Sequence, residues 1–174
     1  DIVIAEVGAW SNPLSPDSPT AEAAVAKCKA SLALADEIGA RCCVNIAGSR
    51  GKKWDGPDAA DLTDDTFDRI VVVVRDIIDA VKPKRSFYTL ETMPWMLPDS
   101  ADSYLRLIEA IDRPACAVHL DPTNLVNCPA RYFRNGDLIR ECFEKLGPRI
   151  RSCHAKDILM GDRFMVHIDE VPPG

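Results

Sequence analysis

Long apolar runs are missing from this sequence. The longest candidates, Ile70 to Val74 and Leu32 to Ala35, fall far short of the ~18 residues a membrane helix needs. The opening Asp1-Ile2-Val3-Ile4 has no basic n-region, so it reads as a strand already under way rather than a signal peptide. Basic charge is also in deficit: 21 Lys and Arg stand against 27 Asp and Glu, a net −6, which argues against a general nucleic-acid binder. No CxxC pair occurs. The seven cysteines are odd in number and sit mostly inside apolar stretches, which suits free buried thiols in a reducing cytosol better than secreted disulfides. A cytoplasmic protein is therefore expected. Low-complexity tracts and composition breaks are absent too, so residues 1–174 read as one domain. The length itself excludes a complete (β/α)8 barrel, which takes about 250 residues.

What is present is an uninterrupted alternation of strand-like and helix-like segments. Short β-branched stretches are expected at 2–9, 41–48, 86–93, 115–121 and 150–157. Between them, Ser18-Pro19 reads as an N-cap followed by proline in the first turn, with Val25, Cys28, Leu32 and Ala35 on one helix face and Gly39 as the stop. The run Val71 to Val74 looks like a strand. However, Phe67, Ile70, Val71, Val74, Ile77, Ile78 and Val81 follow i, i+3, i+4, i+7 spacing and predict a helix starting after Thr63. Further helices are expected over 100–111 and about 137–146. Strand ends spaced by one βα unit demand a parallel sheet with right-handed crossovers. An open doubly wound sheet and part of a (β/α)8 barrel both fit.

In either architecture, chemistry gathers at the carboxyl ends of the strands. Three consecutive strands finish with Leu90-Glu91-Thr92-Met93, with His119-Leu120-Asp121-Pro122-Thr123-Asn124 and with Cys153-His154-Ala155-Lys156-Asp157. Period-two alternation puts Thr89 and Glu91 on one face, as it does His119 with Asp121 and Ser152 with His154 and Lys156. The opposite faces are apolar. A polar face at the strand ends suits a barrel mouth better than an open sheet covered by helices on both sides. Two carboxylates and an imidazole make a mixed O/N site that suits Mn2+, Mg2+, Co2+ or Zn2+.

Glu91 in LETM, Asp121 in HLDPTN and His154 in CHAKD, followed by EVPPG at 170–174, resemble the xylose isomerase-like TIM-barrel superfamily. That group includes sugar-phosphate isomerases and epimerases and the type IV apurinic endonucleases. The resemblance runs along the whole chain from Ile4 onward. It implies an incomplete (β/α)8 barrel holding strands three to seven, with a fourth ligand, a Glu after the eighth strand, beyond Gly174. It also implies that Glu91, Asp121 and His154 are metal ligands. The implied activity is metal-dependent isomerisation or epimerisation of a sugar or sugar phosphate through an enediolate, with Glu91 also the catalytic base.

Around that set, Lys156 is a candidate contact for a substrate oxygen or phosphate, or a plain surface lysine. Asp157 either supports a ligand from the second layer or caps the next segment of chain. His119 either binds substrate or packs as a neutral core histidine. Asn124 stands where some sugar epimerases of the group place a substrate-contacting His. Trp10 can stack on a sugar ring or simply pack its loop, and Glu6 reads as a mouth residue or an internal ion-pair partner. Gly48 to Trp54 superficially suggests a phosphate-binding loop, but Ile46 stands where that motif needs Gly. Arg50 and Lys52 there are a phosphate contact or a solvated basic loop. The expected partners are a small sugar or sugar phosphate and, as an option, further copies of the chain in a homo-oligomer; neither membrane nor nucleic acid is expected. The rival readings are an apurinic-endonuclease-like phosphodiesterase and a degenerate, non-catalytic sugar-binding barrel.

Overall fold

The computed structural model describes residues 2–174, and Asp1 lies outside them. Five strands form one parallel sheet in chain order: β1 (Glu6–Gly8), β2 (Cys42–Asn45), β3 (Phe87–Glu91), β4 (Cys116–Leu120) and β5 (Ile150–Cys153). The crossovers are α1 (Ser18–Ile38), α2 (Asp64–Val81), α3 (Ala101–Ile111) and the pair α4 (Pro129–Phe133) and α5 (Asn135–Leu146). The architecture is the incomplete (β/α)8 barrel expected. The strands are shorter than their apolar patterns. Residues 2–5 are outside β1, and Ile2, Val3 and Ile4 are exposed.

Each helix forms for a local reason. Asp17, not Ser18, caps α1: its carboxylate accepts from Thr20 N at 3.0 Å, and Ser18 is already inside the first turn. Gly39 closes the helix with φ 74°, a left-handed conformation that costs glycine nothing. Thr63 caps α2, and Asp64 and Asp65 in the first turn face the positive end of the dipole. The helix buries Ile70, Val71, Val74, Ile77 and Ile78, as periodicity required, while Val72 stays on the solvent side.

One face of the sheet is apolar and meets the helices: Cys43, Tyr88, Leu90, Cys116, Val118 and Leu120 pack there with Cys28, Leu32, Val74, Leu107 and Leu146. The other face curls onto itself. In a flat sheet, β1 and β5 would stand roughly 19 Å apart at ~4.8 Å per strand. Instead, Glu6 of β1 reaches His154, just past β5, at 3.2 Å, and Cys42 of β2 lies 3.1 Å from Ser152 of β5. That curvature is the half-barrel, and its inside is polar.

A further correction concerns the end of the chain. The last parallel strand stops at Cys153 rather than 157, and Asp157–Met160 (β6) pairs antiparallel with Ile168–Val171 (β7) in a separate hairpin. Alternation breaks at Lys156-Asp157, two polar residues in a row, and again along Ile158-Leu159-Met160, which is the local mark of the change. All seven cysteines are free and five are buried, as the reading of free buried thiols has it, while Cys153 is exposed and Cys128 half-buried. Among the described residues, no helix is long and apolar enough to cross a membrane.

Candidate metal centre

The polar side chains converge because adjacent strands are in register. Glu91 pairs with His119 across β3 and β4, and Asp121 comes one residue after β4 ends. Thr92 locks the two strand ends together: its hydroxyl donates to Asp121 O at 2.7 Å and accepts from Asp121 N at 3.2 Å. The Asp121 carboxylate is held in turn. Its Oδ1 accepts from Thr123 N and Asn124 N at 3.1 and 3.3 Å, which leaves Oδ2 for the interior. From α3, the buried Tyr104 hydroxyl accepts from Leu90 N at 3.0 Å and His119 N at 3.4 Å, with Leu90 O at 2.6 Å and Ala117 O at 3.0 Å as the acceptors within its reach. It thus splices β3 to β4 immediately before Glu91 and His119. The register between β4 and β5 shifts at the same point, between Val118 and His119.

Glu91, Asp121 and His154 each offer a ligand atom within 4.8 Å of the others. His154 Nδ1 lies 2.9 Å from Glu91 Oε1 and 3.7 Å from Asp121 Oδ2. Burial is the largest influence on Glu91 and lifts its carboxyl above the usual range; His154 opposes this and Asp121 adds to it. Burial pulls His154 down, but the hydrogen bonds and charges of Glu91 and Glu6 outweigh it, and its pKa is raised. A hard, oxygen-rich set with one imidazole is a donor set suited to a divalent cation.

The other expected residues divide into two groups. Lys156 is in the site: its ammonium spans Asp121 Oδ2 at 2.9 Å and Glu170 Oε2 of β7 at 3.1 Å, tying the hairpin to the centre. Asn124 Nδ2 donates to Glu91 Oε1 at 3.4 Å. Trp10 stands over the cleft with its ring 6.3 Å from that of His154, and a Cβ on Gly8 would collide with the indole. His119 is fully buried. Burial and then the neighbouring His154 push its imidazole down to about 4, so it is neutral. It packs edge-on against His154 at 4.2 Å, and this is the core-histidine alternative. Asp157 is apart: it is exposed, and its carboxylate accepts from Ile158 N at 2.8 Å and Gly174 N at 3.3 Å, so it supports the hairpin rather than a ligand. Arg50 is engaged elsewhere, by Asp65 at 2.7 Å and through its backbone N by buried Asp61 at 2.6 Å.

Glu6 is the residue that sequence reasoning underweighted. Its Oε1 lies 3.2 Å from His154 Nε2 and its Oε2 3.2 Å from His119 Nδ1. Ser152 joins them at 2.6 Å from His119 Nδ1. The inward parity of Glu6 on β1 was the available signal. Its partners lie 113 and 148 residues away and could be located only through the fold. The cleft itself holds about 460 Å3 and is lined by Trp10, Glu91, Cys153, His154, Ala155 and Lys156.

Residues 2–173 match the sequence profile described as xylose isomerase-like TIM barrel. Solved structures resemble the chain in fold. A probable 3-DHS dehydratase, AsbF, from Bacillus anthracis superposes with TM-score 0.68 at 22% identity, covering 94% of this chain and 53% of that one. A xylose isomerase-like TIM barrel protein from Mycobacterium smegmatis in complex with magnesium gives 0.64 at 18% identity, with 90% and 53% covered. An L-ribulose 3-epimerase gives 0.60 at 21% identity, with 81% and 46% covered. The chain thus spans about half the length of these structures. No curated protein gives a significant match.

Proposed function

This chain belongs to the xylose isomerase-like TIM barrel family, and from that premise we propose that it carries the metal-binding half of an enzyme that moves a proton on a carbonyl sugar or sugar phosphate. The observation that carries the reading is the convergence of Glu91, Asp121 and His154 from three consecutive strand ends, with Glu91 and His154 lining one cleft. Those three residues would hold a divalent cation, of which Mn2+, Mg2+, Co2+ and Zn2+ all suit the donors. When bound, such an ion polarises a substrate carbonyl and its neighbouring hydroxyl as a Lewis acid.

The side chains supply the rest. Glu91 is the general base. It sits at the cleft where a carbon-bound proton would be presented. Asn124 orients the Glu91 carboxylate through Oε1. Lys156 faces the same space and offers its ammonium to an oxyanion or a phosphate once it turns from Glu170. Trp10 covers one wall and gives an apolar ring face to the C–H face of a sugar. The protein is expected to exchange solvent deuterium into the carbon next to the carbonyl of a ketose or ketose phosphate when Mn2+ is supplied. Proton NMR of the recovered sugar reads this directly, and no exchange above background across a panel of such sugars would sink the reading. The nuclease alternative would show instead as Mn2+-dependent cleavage of duplex DNA bearing an abasic site.

A further inference from the structure

His154 offers its two ring nitrogens to different neighbours. Nδ1 faces Glu91 and Asp121, and Nε2 faces Glu6 alone, at 3.2 Å. An imidazole ligates a cation through a lone pair, so the proton must be kept on the other nitrogen. A carboxylate bonded to that nitrogen keeps it there and fixes the ring plane. Glu6 is itself oriented. The buried His119 has no partner at Nε2, while its Nδ1 lies 2.6 Å from Ser152 Oγ and 3.2 Å from Glu6 Oε2. A buried N–H without an acceptor is costlier than an unused lone pair, so the His119 proton belongs on Nδ1, where it points to Ser152 and Glu6.

We propose that Glu6 is the positioning residue of the metal centre: held by His119, it keeps a proton on His154 Nε2 and turns the Nδ1 lone pair toward Glu91 and Asp121. This rests on the metal-binding reading of those three residues. It places functional weight on β1, three strands away from β4, and makes the curl of the sheet part of the site. Without the curl, Glu6 and His154 would not meet. The role differs from that of a ligand, because Glu6 touches the far nitrogen of His154 and not the space enclosed by Glu91, Asp121 and Nδ1.

The test compares wild type, Glu6→Ala and Glu6→Gln in two measurements. The first is 15N NMR of the protein loaded with diamagnetic Zn2+, which reports which nitrogen of His154 ligates the ion and which bears the proton. The second is calorimetric titration with Mn2+. Nε2–H is expected in wild type and a mixture of tautomers in Glu6→Ala. Mn2+ affinity should fall about 10- to 100-fold in Glu6→Ala. It should fall less in Glu6→Gln, whose amide oxygen still accepts from Nε2–H. A purely structural Glu6 would lower the thermal midpoint and leave the tautomer and the affinity of the folded protein alone, and that result overturns the proposal. So does Nδ1–H in wild type. If wild type and Glu6→Ala bind Mn2+ equally, Glu6 fails and the metal centre stands. If wild type takes up no Mn2+, the metal centre fails and this role fails with it.

Discussion

Leu90 and Glu91 are neighbours in the chain and lie on opposite faces of the same strand. Leu90 points to the helices, into a layer of Cys43, Tyr88, Val118 and Leu120 closed by α1, α2 and α3. Glu91 points into the half-barrel, where Asp121, His154, His119, Glu6 and Ser152 form a connected polar network. Both residues are buried. The helix side is held by non-directional burial, in which many apolar residues would serve. The inner side is held by directional contacts, in which each group depends on the placement of the next. Apolar packing and the polar network thus lie on opposite faces of one sheet.

Substitutions on each face should separate stability from activity. The largest effect is expected from Glu91→Gln, which keeps shape and removes the proposed base. Deuterium exchange should fall about 10²- to 10⁴-fold, with little change in the denaturant midpoint. Leu90→Ala should do the reverse. It should cost about 2–5 kcal/mol of stability by chemical denaturation, while the folded fraction retains its Mn2+ affinity. Equal losses of stability in the two variants would break the comparison.

Tyr104→Phe probes the seam between the faces. The hydroxyl reaches through from α3 to the backbone of Leu90, Ala117 and His119. Its removal leaves buried amide groups without a partner, an expected cost of about 1–3 kcal/mol. Unlike Leu90→Ala, it should also weaken Mn2+ binding, because it frees the strand ends that carry Glu91 and Asp121.

The smallest effect is expected far from both faces, at the foot of α1. Asp36 Oδ1 accepts from Lys84, Arg85 and Ser86 N at 2.9, 2.6 and 2.9 Å, and the bond from Arg85 foremost holds its carboxyl below the usual range. A lowered folded pKa contributes stability above the unfolded value, near pH ~4, and loses it as pH falls through the folded value. Asp36→Asn should therefore unfold at lower denaturant than wild type at pH 7, and the gap should close below about pH 4. A gap that persists unchanged into acid would remove this carboxylate from the account.

The two faces were not equally legible. The helix side writes itself locally: α2 results from the spacing of Ile70, Val74, Ile77 and Ile78, although Val71 to Val74 imitates a strand. The convergence of Glu91, Asp121 and His154 was legible because strand parity and the rule of carboxyl ends are also local. Glu6 was not, since its meaning depends on how tightly five strands curl. The hairpin of β6 and β7 was missed although Lys156-Asp157 and then Ile158-Leu159-Met160 break the alternation there, because its partner strand lies beyond the last βα unit. At the start of α1, Asp17 and Ser18 are both good capping residues, and the position of Pro19 did not choose between them.

The central claim is that the inner face of this sheet builds a divalent cation site from three strand ends. Titrating the metal-free protein with Mn2+, monitored by electron paramagnetic resonance, tests it most directly. Wild type should bind one ion per chain, more tightly as pH rises, because His154 must release the Nδ1 proton that its neighbours favour. Asp121→Asn should lose that uptake while remaining folded. Uptake that is absent in wild type, or unchanged in Asp121→Asn, would contradict the claim.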